Sequence, residues 1–132
     1  MASFSKKIRK LNKFPKNALI IGKAFGQIEE LSEIFDSLFV VGADSNLLRK
    51  RNIIYREDFE FLTSLPDIDF IFVDKDYFEQ LLKINQVWRK NRSYLVTEGE
   101  APPDKHIYKF LAAETFAILD AHKHHIFWKF KA

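Results

Sequence analysis

Residues able to do chemistry gather where short apolar runs end. Ala18-Leu-Ile-Ile-Gly22 enters a Gly-x-Ala-x-Gly turn formed by Gly22, Ala24 and Gly26, and Leu38-Phe-Val-Val-Gly-Ala stops at Asp44. Asn52-Ile-Ile-Tyr-Arg-Glu stops at Asp58, with Phe59 next, and Asp69-Phe-Ile-Phe-Val stops at Asp74, with Asp76 and Tyr77 just beyond. Glycine lets a ligand approach the backbone, and a following helix N-terminus offers N–H groups and partial positive charge to a carboxylate or phosphate. The same turn also serves as a plain strand-to-helix connection. Asp44 stands where a carboxylate can accept both hydroxyl hydrogens of a ribose, and equally where it can cap a helix over 45–49. Polar groups collected at one edge of a parallel sheet are how open α/β sheets bind nucleotide-like ligands.

The run Asp74-Lys75-Asp76-Tyr77 is the candidate reacting centre. A carboxylate or carbonyl there can accept an amine hydrogen while Tyr77 stacks on a base. The alternative has Asp76 capping a helix and Tyr77 lying in its buried face. Asp74 and Asp76 alone make a poor hard-cation site, since such ions take six or more oxygens. His122, His124 and His125 have Lys123 among them and no supporting carboxylate, so they read as chance clustering and no metal is assigned. No Ser-His-Asp or Cys-His spacing argues for a hydrolase.

Positioning these groups requires strands alternating with helices. Strands are expected over 18–22, 38–43, 52–55, 69–73, 93–97 and 125–130, with helices over about 26–36, 58–65, 76–90 and 104–121. Continuous rather than alternating apolarity means burial on both faces, as in a parallel sheet covered by helices, and crossovers between parallel strands are right-handed. The expected fold is therefore α/β: a three-layer α/β/α sandwich around a mostly parallel, doubly wound, Rossmann-like sheet of about six strands. Residues 1–16 form a basic segment, and 17–132 a single domain.

The chain of 132 residues can bury roughly 68% of its unfolded surface without disulfides, and it has no cysteine. That usage suits a reducing compartment, and the cytoplasm is the expectation. No apolar stretch nears the roughly 20 residues of a membrane-spanning helix, and the N-terminus lacks a signal-peptide core. The formal charge is +3, with much of the excess in Lys6, Lys7, Arg9, Lys10, Lys13 and Lys16. This segment reads as a solvated tail, with a weak pointer to RNA or DNA. The 14 phenylalanines fall mainly inside periodic apolar segments and read as core.

Across about residues 17–100 the order of motifs resembles the class I S-adenosylmethionine-dependent methyltransferases. Ile21-Gly22-Lys-Ala24-Phe-Gly26 resembles the family's glycine motif, and Val40-Val41-Gly42-Ala43-Asp44 its second strand with a ribose-binding acid. Arg56-Glu57-Asp58-Phe59-Glu60-Phe61-Leu62 is similar to the adenine-contacting motif, and Ile68-Asp69-Phe70-Ile71-Phe72-Val73-Asp74 to the motif facing the transferring methyl group. The resemblance implies that Gly22, Ala24 and Gly26 cradle the methionine half of S-adenosylmethionine, that Asp44 holds its ribose, and that Asp58 and Phe59 hold adenine. Asp74 through Tyr77 loosely resembles the Asp-Pro-Pro-Tyr signature of amino-methylating enzymes acting on nucleic-acid bases, with both prolines replaced. It implies Asp74 and Tyr77 as catalytic, with a nucleic acid or small amine as acceptor.

Three departures point the other way. The acid that family members carry near the end of the first strand is replaced by Leu19-Ile20-Ile21; a missing charged hydrogen bond is worth about 1.5–3 kcal/mol, or about ten- to over a hundred-fold in affinity. The signature prolines are lost. Only one strand is evident after the long helix, where the family has an antiparallel pair, so a second copy is expected to complete the open edge. The expected activity is methyl transfer to an unidentified acceptor; the alternative is a catalytically inactive methyltransferase-like binding or assembly module.

Overall fold

The computed structural model describes residues 2–42, 49–60, 64–99, 102–122 and 124–131. Its strands are β1 (Asn17–Ile21), β2 (Ser37–Val41), β3 (Ile53–Arg56), β4 (Phe70–Val73), β5 (Tyr94–Glu98), β6 (Phe116–His122) and β7 (His125–Phe130). They form one sheet in the order β3-β2-β1-β4-β5-β7-β6. The first five run parallel, while β7 is antiparallel to both β5 and β6. The helices are α1 (Ala2–Leu11), α2 (Ile28–Ile34), α3 (Asn85–Asn91) and α4 (Lys105–Ala113), with 3-10 segments over Ala24–Gly26 and Lys75–Ile84.

Continuous apolarity in the strands has the physical cause expected of it. Along β1, Ala18 and Ile20 enter one buried cluster and Leu19 and Ile21 another; along β4, Phe70 and Phe72 divide from Ile71 and Val73 in the same way. Ile8 of α1 and Ile28, Leu31 and Ile34 of α2 cover the first face. Leu81, Ile84, Val87, Trp88 and Leu111 cover the second. The outcome is the three-layer α/β/α sandwich around a Rossmann-like sheet. Phe35 sets its ring edge-on against Phe70 and Phe72, at 5.6 and 6.0 Å between centroids. On the other face the indole N–H of Trp128 donates to Thr97 Oγ1 at 2.9 Å.

Four expectations are corrected. The sheet has seven strands among the described residues, because the segment read as one helix over 104–121 is α4 followed by β6. Asp104 does cap α4, accepting the His106 N–H at 2.8 Å. With β6 present, β6 and β7 make the antiparallel pair, and the open edge that suggested a second copy is filled from within the chain. The helix over 76–90 is a 3-10 segment that becomes α-helical only from Asn85. Of the helix expected over 58–65, residues 61–63 lie outside the described residues, and Glu60 and Ser64 on either side of them are in 3-10 conformation. The basic N-terminal stretch is not a solvated tail: α1 docks, with Ile8 fully buried.

Candidate functional site

The parallel register brings the chemistry together. Ile21 pairs with Val41 on one side and with Val73 on the other, so Gly22, Gly42 and Asp74 leave their strands side by side. The Gly22 N–H donates to Val41 O at 2.8 Å and the Asp74 N–H to Ile21 O at 3.1 Å. From β1 the chain travels outward through β2 to β3 and then returns to β4 on β1's other side. This reversal is where open α/β sheets form a crevice.

The loop after β1 is wound left-handed. Ala24 and Phe25 have φ of 50° and 58°, and Gly26 follows at 81°. For residues with a Cβ this conformation costs about 1–2 kcal/mol each, and the loop turns its N–H groups inward as an anion-binding nest. The anion is supplied by the chain itself. Asp74 Oδ2 accepts the Lys23 N–H at 3.0 Å, and Oδ1 accepts the Phe25 N–H at 3.1 Å. Burial pushes the Asp74 carboxyl above the usual range despite these donors, and the nearby Glu98 charge pushes the same way. Glu98, at the end of β5, accepts the Lys75 N–H at 3.0 Å.

Tyr77 closes the same crevice. Its N–H donates to Asp74 O at 2.9 Å, and its hydroxyl donates to Gly42 O at 3.3 Å. A Cβ at Gly22 would sit 2.8 Å from Asp74 Cγ and 2.9 Å from Tyr77 Cδ2, and one at Gly42 would sit 2.9 Å from Tyr77 Cε1. Two strand-ending glycines, with φ of 108° and 98°, are thus covered by one aromatic ring. Gly26 differs: nothing lies within 4 Å of where its Cβ would be, so only its backbone angle requires glycine.

Asp58 and Phe59 take no part in these contacts. Asp58 is exposed, and its Oδ1 accepts the Glu60 N–H at 3.0 Å in a local turn. Phe59 is half-buried on the same apolar cluster as Tyr77. Both follow β3, two strands out from β1. Asp44 lies outside the described residues. Asp76 is exposed, and the N-cap position of the 3-10 segment belongs to Asp74, whose carboxylate is turned to the loop instead. Among the described residues no three potential ligands gather for a metal. The His125 ring lies against Phe25, at 4.6 Å between centroids.

Sequence reasoning overlooked Phe25, Gly42 and Glu98. Gly42 was visible as the second apolar run to end in glycine, and Glu98 as the acid ending β5. Phe25 gave no signal, because a left-handed aromatic runs against local preference.

For an adenosyl methyl donor the main chain is suitable: glycines bare two strand ends beside a loop of N–H groups. The Asp74 and Tyr77 side chains take up that surface.

No protein-family model matches the chain, and no curated protein matches it in sequence. Solved structures do match in shape. The precorrin-6y C5,15-methyltransferase of Geobacter metallireducens superposes with a TM-score of 0.67 at 16% identity, over 98% of this chain and 88% of that one. A precorrin 8w decarboxylase of Methanobacterium thermoautotrophicum gives 0.60 at 17% identity, over 96% and 89%. M. capricolum TrmK, solved with S-adenosyl-homocysteine, gives 0.58 at 10% identity, over 98% and 67%. These likenesses establish a class I methyltransferase-like, Rossmann-like fold.

Proposed function

We propose that the chain binds an adenosyl compound, S-adenosylmethionine in the first place, along the C-terminal ends of β1 and β2, and transfers its methyl group to a nucleic-acid base or small amine. The observation that supports this reading is the pair of left-handed glycines, Gly22 and Gly42, beside a loop whose N–H groups already hold a carboxylate. The donor would supply a sulfonium methyl for in-line displacement, so alignment matters more than a catalytic dyad. On this reading the Lys23 and Phe25 N–H groups exchange the Asp74 carboxylate for that of the ligand. Asp44 takes the ribose, and Asp58 with Phe59 the adenine. Asp74 and Tyr77, once displaced, border the methyl group.

A second reading, a catalytically inactive module of the same fold, is favoured by the self-filled crevice and by the absence of an acid in Leu19-Ile20-Ile21. The two separate on one experiment. If Tyr77 covers a working site, apparent affinity equals the intrinsic value reduced by the open fraction. Tyr77→Ala then binds S-adenosylmethionine and S-adenosylhomocysteine more tightly than wild type in calorimetric titration, and Asp44→Ala abolishes the gain. Ligand at about 100 times its dissociation constant raises stability by about 2.7 kcal/mol. Absence of heat and of thermal shift in both wild type and Tyr77→Ala at millimolar ligand leaves the inactive module.

A further inference from the structure

The opposite end of the sheet carries a second surface. Seven of the 21 lysines and arginines, and none of the 18 aspartates and glutamates, fall within the first 28 residues. Apart from Lys7, which pairs with Asp120, and Lys23 in the crevice loop, these cations belong to α1 and to the link into β1. Lys6, Arg9, Lys10, Lys13 and Lys16 are all exposed.

Among them stands Phe14, 81% exposed. Its main chain is fixed on both sides although its ring is free. The Phe14 N–H donates to Asn12 Oδ1 at 3.1 Å, Pro15 is buried, and the Lys16 N–H donates to Asp69 Oδ2 at 2.7 Å. A residue before proline is also confined to extended backbone. The ring borders a shallow cleft of about 500 Å³ walled by Arg9, Lys13, Lys16, Pro15, Ile34 and a single acid, Asp36. The cleft adjoins the N-terminal end of β1, whereas the adenosyl crevice lies at its C-terminal end.

A pre-set aromatic plane among exposed cations suits a ligand that offers flat bases and a phosphate chain together. A lipid surface is the less suitable partner: Ile8 and Leu11 of α1 are turned into the protein core, so among the described side chains the helix presents no apolar face to enter a bilayer. We infer that the Arg9–Lys16 surface binds single-stranded nucleic acid, with a base stacked on Phe14 and phosphates held by Arg9, Lys13 and Lys16. This does not depend on the adenosyl site, and either can fail alone.

The test uses the full chain and fluorescein-labelled oligothymidylate and oligouridylate in anisotropy titrations. Wild type is expected to bind at about 50 mM salt and to weaken steeply by about 200 mM. Phe14→Ala, at so exposed a position, should leave the melting temperature unchanged and weaken binding about five- to hundred-fold, the usual range for loss of one base-stacking partner. The Lys13→Gln, Lys16→Gln double variant should flatten the plot of log affinity against log salt by about 1.4, since each lost single-strand phosphate contact contributes about 0.7. The relative strength of the two oligonucleotides decides between DNA and RNA within the proposal. No binding at low salt, binding indifferent to Phe14→Ala, or equal retention on phosphatidylserine vesicles would each overturn it.

Discussion

Substitution at Asp74 separates the loop's need for an acceptor from any need for a charge. In Asp74→Ala the Lys23 and Phe25 N–H groups lose their partner, while Ala24 and Phe25 stay left-handed. A sealed, orphaned donor costs about 1–3 kcal/mol; Asp74 is only half-buried, so water relieves part of this and about 2 kcal/mol in all is expected. With an unfolding entropy of about 2.1 cal/mol/K per residue over 132 residues, the melting temperature falls by about 7 °C. Asp74→Asn keeps one acceptor oxygen, for the Lys23 or the Phe25 N–H, turns an NH2 toward the other donor, and removes the charge that burial penalises, so it should lie between wild type and Asp74→Ala, about 1 kcal/mol below wild type at neutral pH. The pH dependence has a definite sign. Asp74 holds its proton more tightly folded than unfolded, so wild-type stability on its account declines as pH rises from the ordinary value of 3.8 through the raised one, and is level above. Asp74→Asn lacks that decline, and gains on wild type across the same window. Thermal melts of the three proteins across acid and neutral pH measure this. If Asp74→Asn loses as much as Asp74→Ala at neutral pH, the charge itself holds the loop and the reasoning fails.

Two further substitutions probe the frame of the site. Ile8→Ala empties a fully buried position and should cost about 2–4 kcal/mol; limited trypsin digestion would then cut first within 6–13, whereas an unchanged cleavage pattern would mean that α1 contributes little to the fold. Trp128→Phe leaves Thr97 Oγ1 without its 2.9 Å donor in a buried setting and should cost about 1–3 kcal/mol. Denaturant melts of Trp128→Phe, Thr97→Val and the double variant should show the double costing less than the sum of the singles, since neither polar group is then stranded.

How far the fold could be read beforehand follows from how each segment is buried. β1 and β4 are apolar at nearly every position because both sheet faces are covered, and runs of five and four residues are too short for a buried helix. β7 has the expected bounds, but the expected half-exposed alternation holds only at its end: Ile126, Phe127 and Trp128 are all buried, and Lys129 alone is exposed, before buried Phe130. β6 was concealed in the expected helix for two reasons. α4 ends at Glu114 and Thr115, where Thr115 takes φ of 71° without a glycine to announce it. The strand then breaks its own alternation, since its register with β7 shifts between Ile118 and Asp120 and both Ile118 and Leu119 are about 40% exposed. At the site, residue types at strand ends could locate the crevice. They could not reveal that Asp74 and Tyr77 turn back on the glycines, because that depends on which rotamers the 3-10 segment after β4 allows.

The two rims of the sheet share a property. On one side the outermost strand is β3, only four residues long, ending in the exposed Arg56. On the other it is β6, kinked by its register shift and carrying Asp120 tied to Lys7. Neither offers a long straight row of unpaired amides and carbonyls, the template on which foreign strands add and fibrils grow. Light scattering of concentrated solutions should accordingly stay flat, and straightening β6 by deleting Leu119 would be the change that makes the edge adhesive.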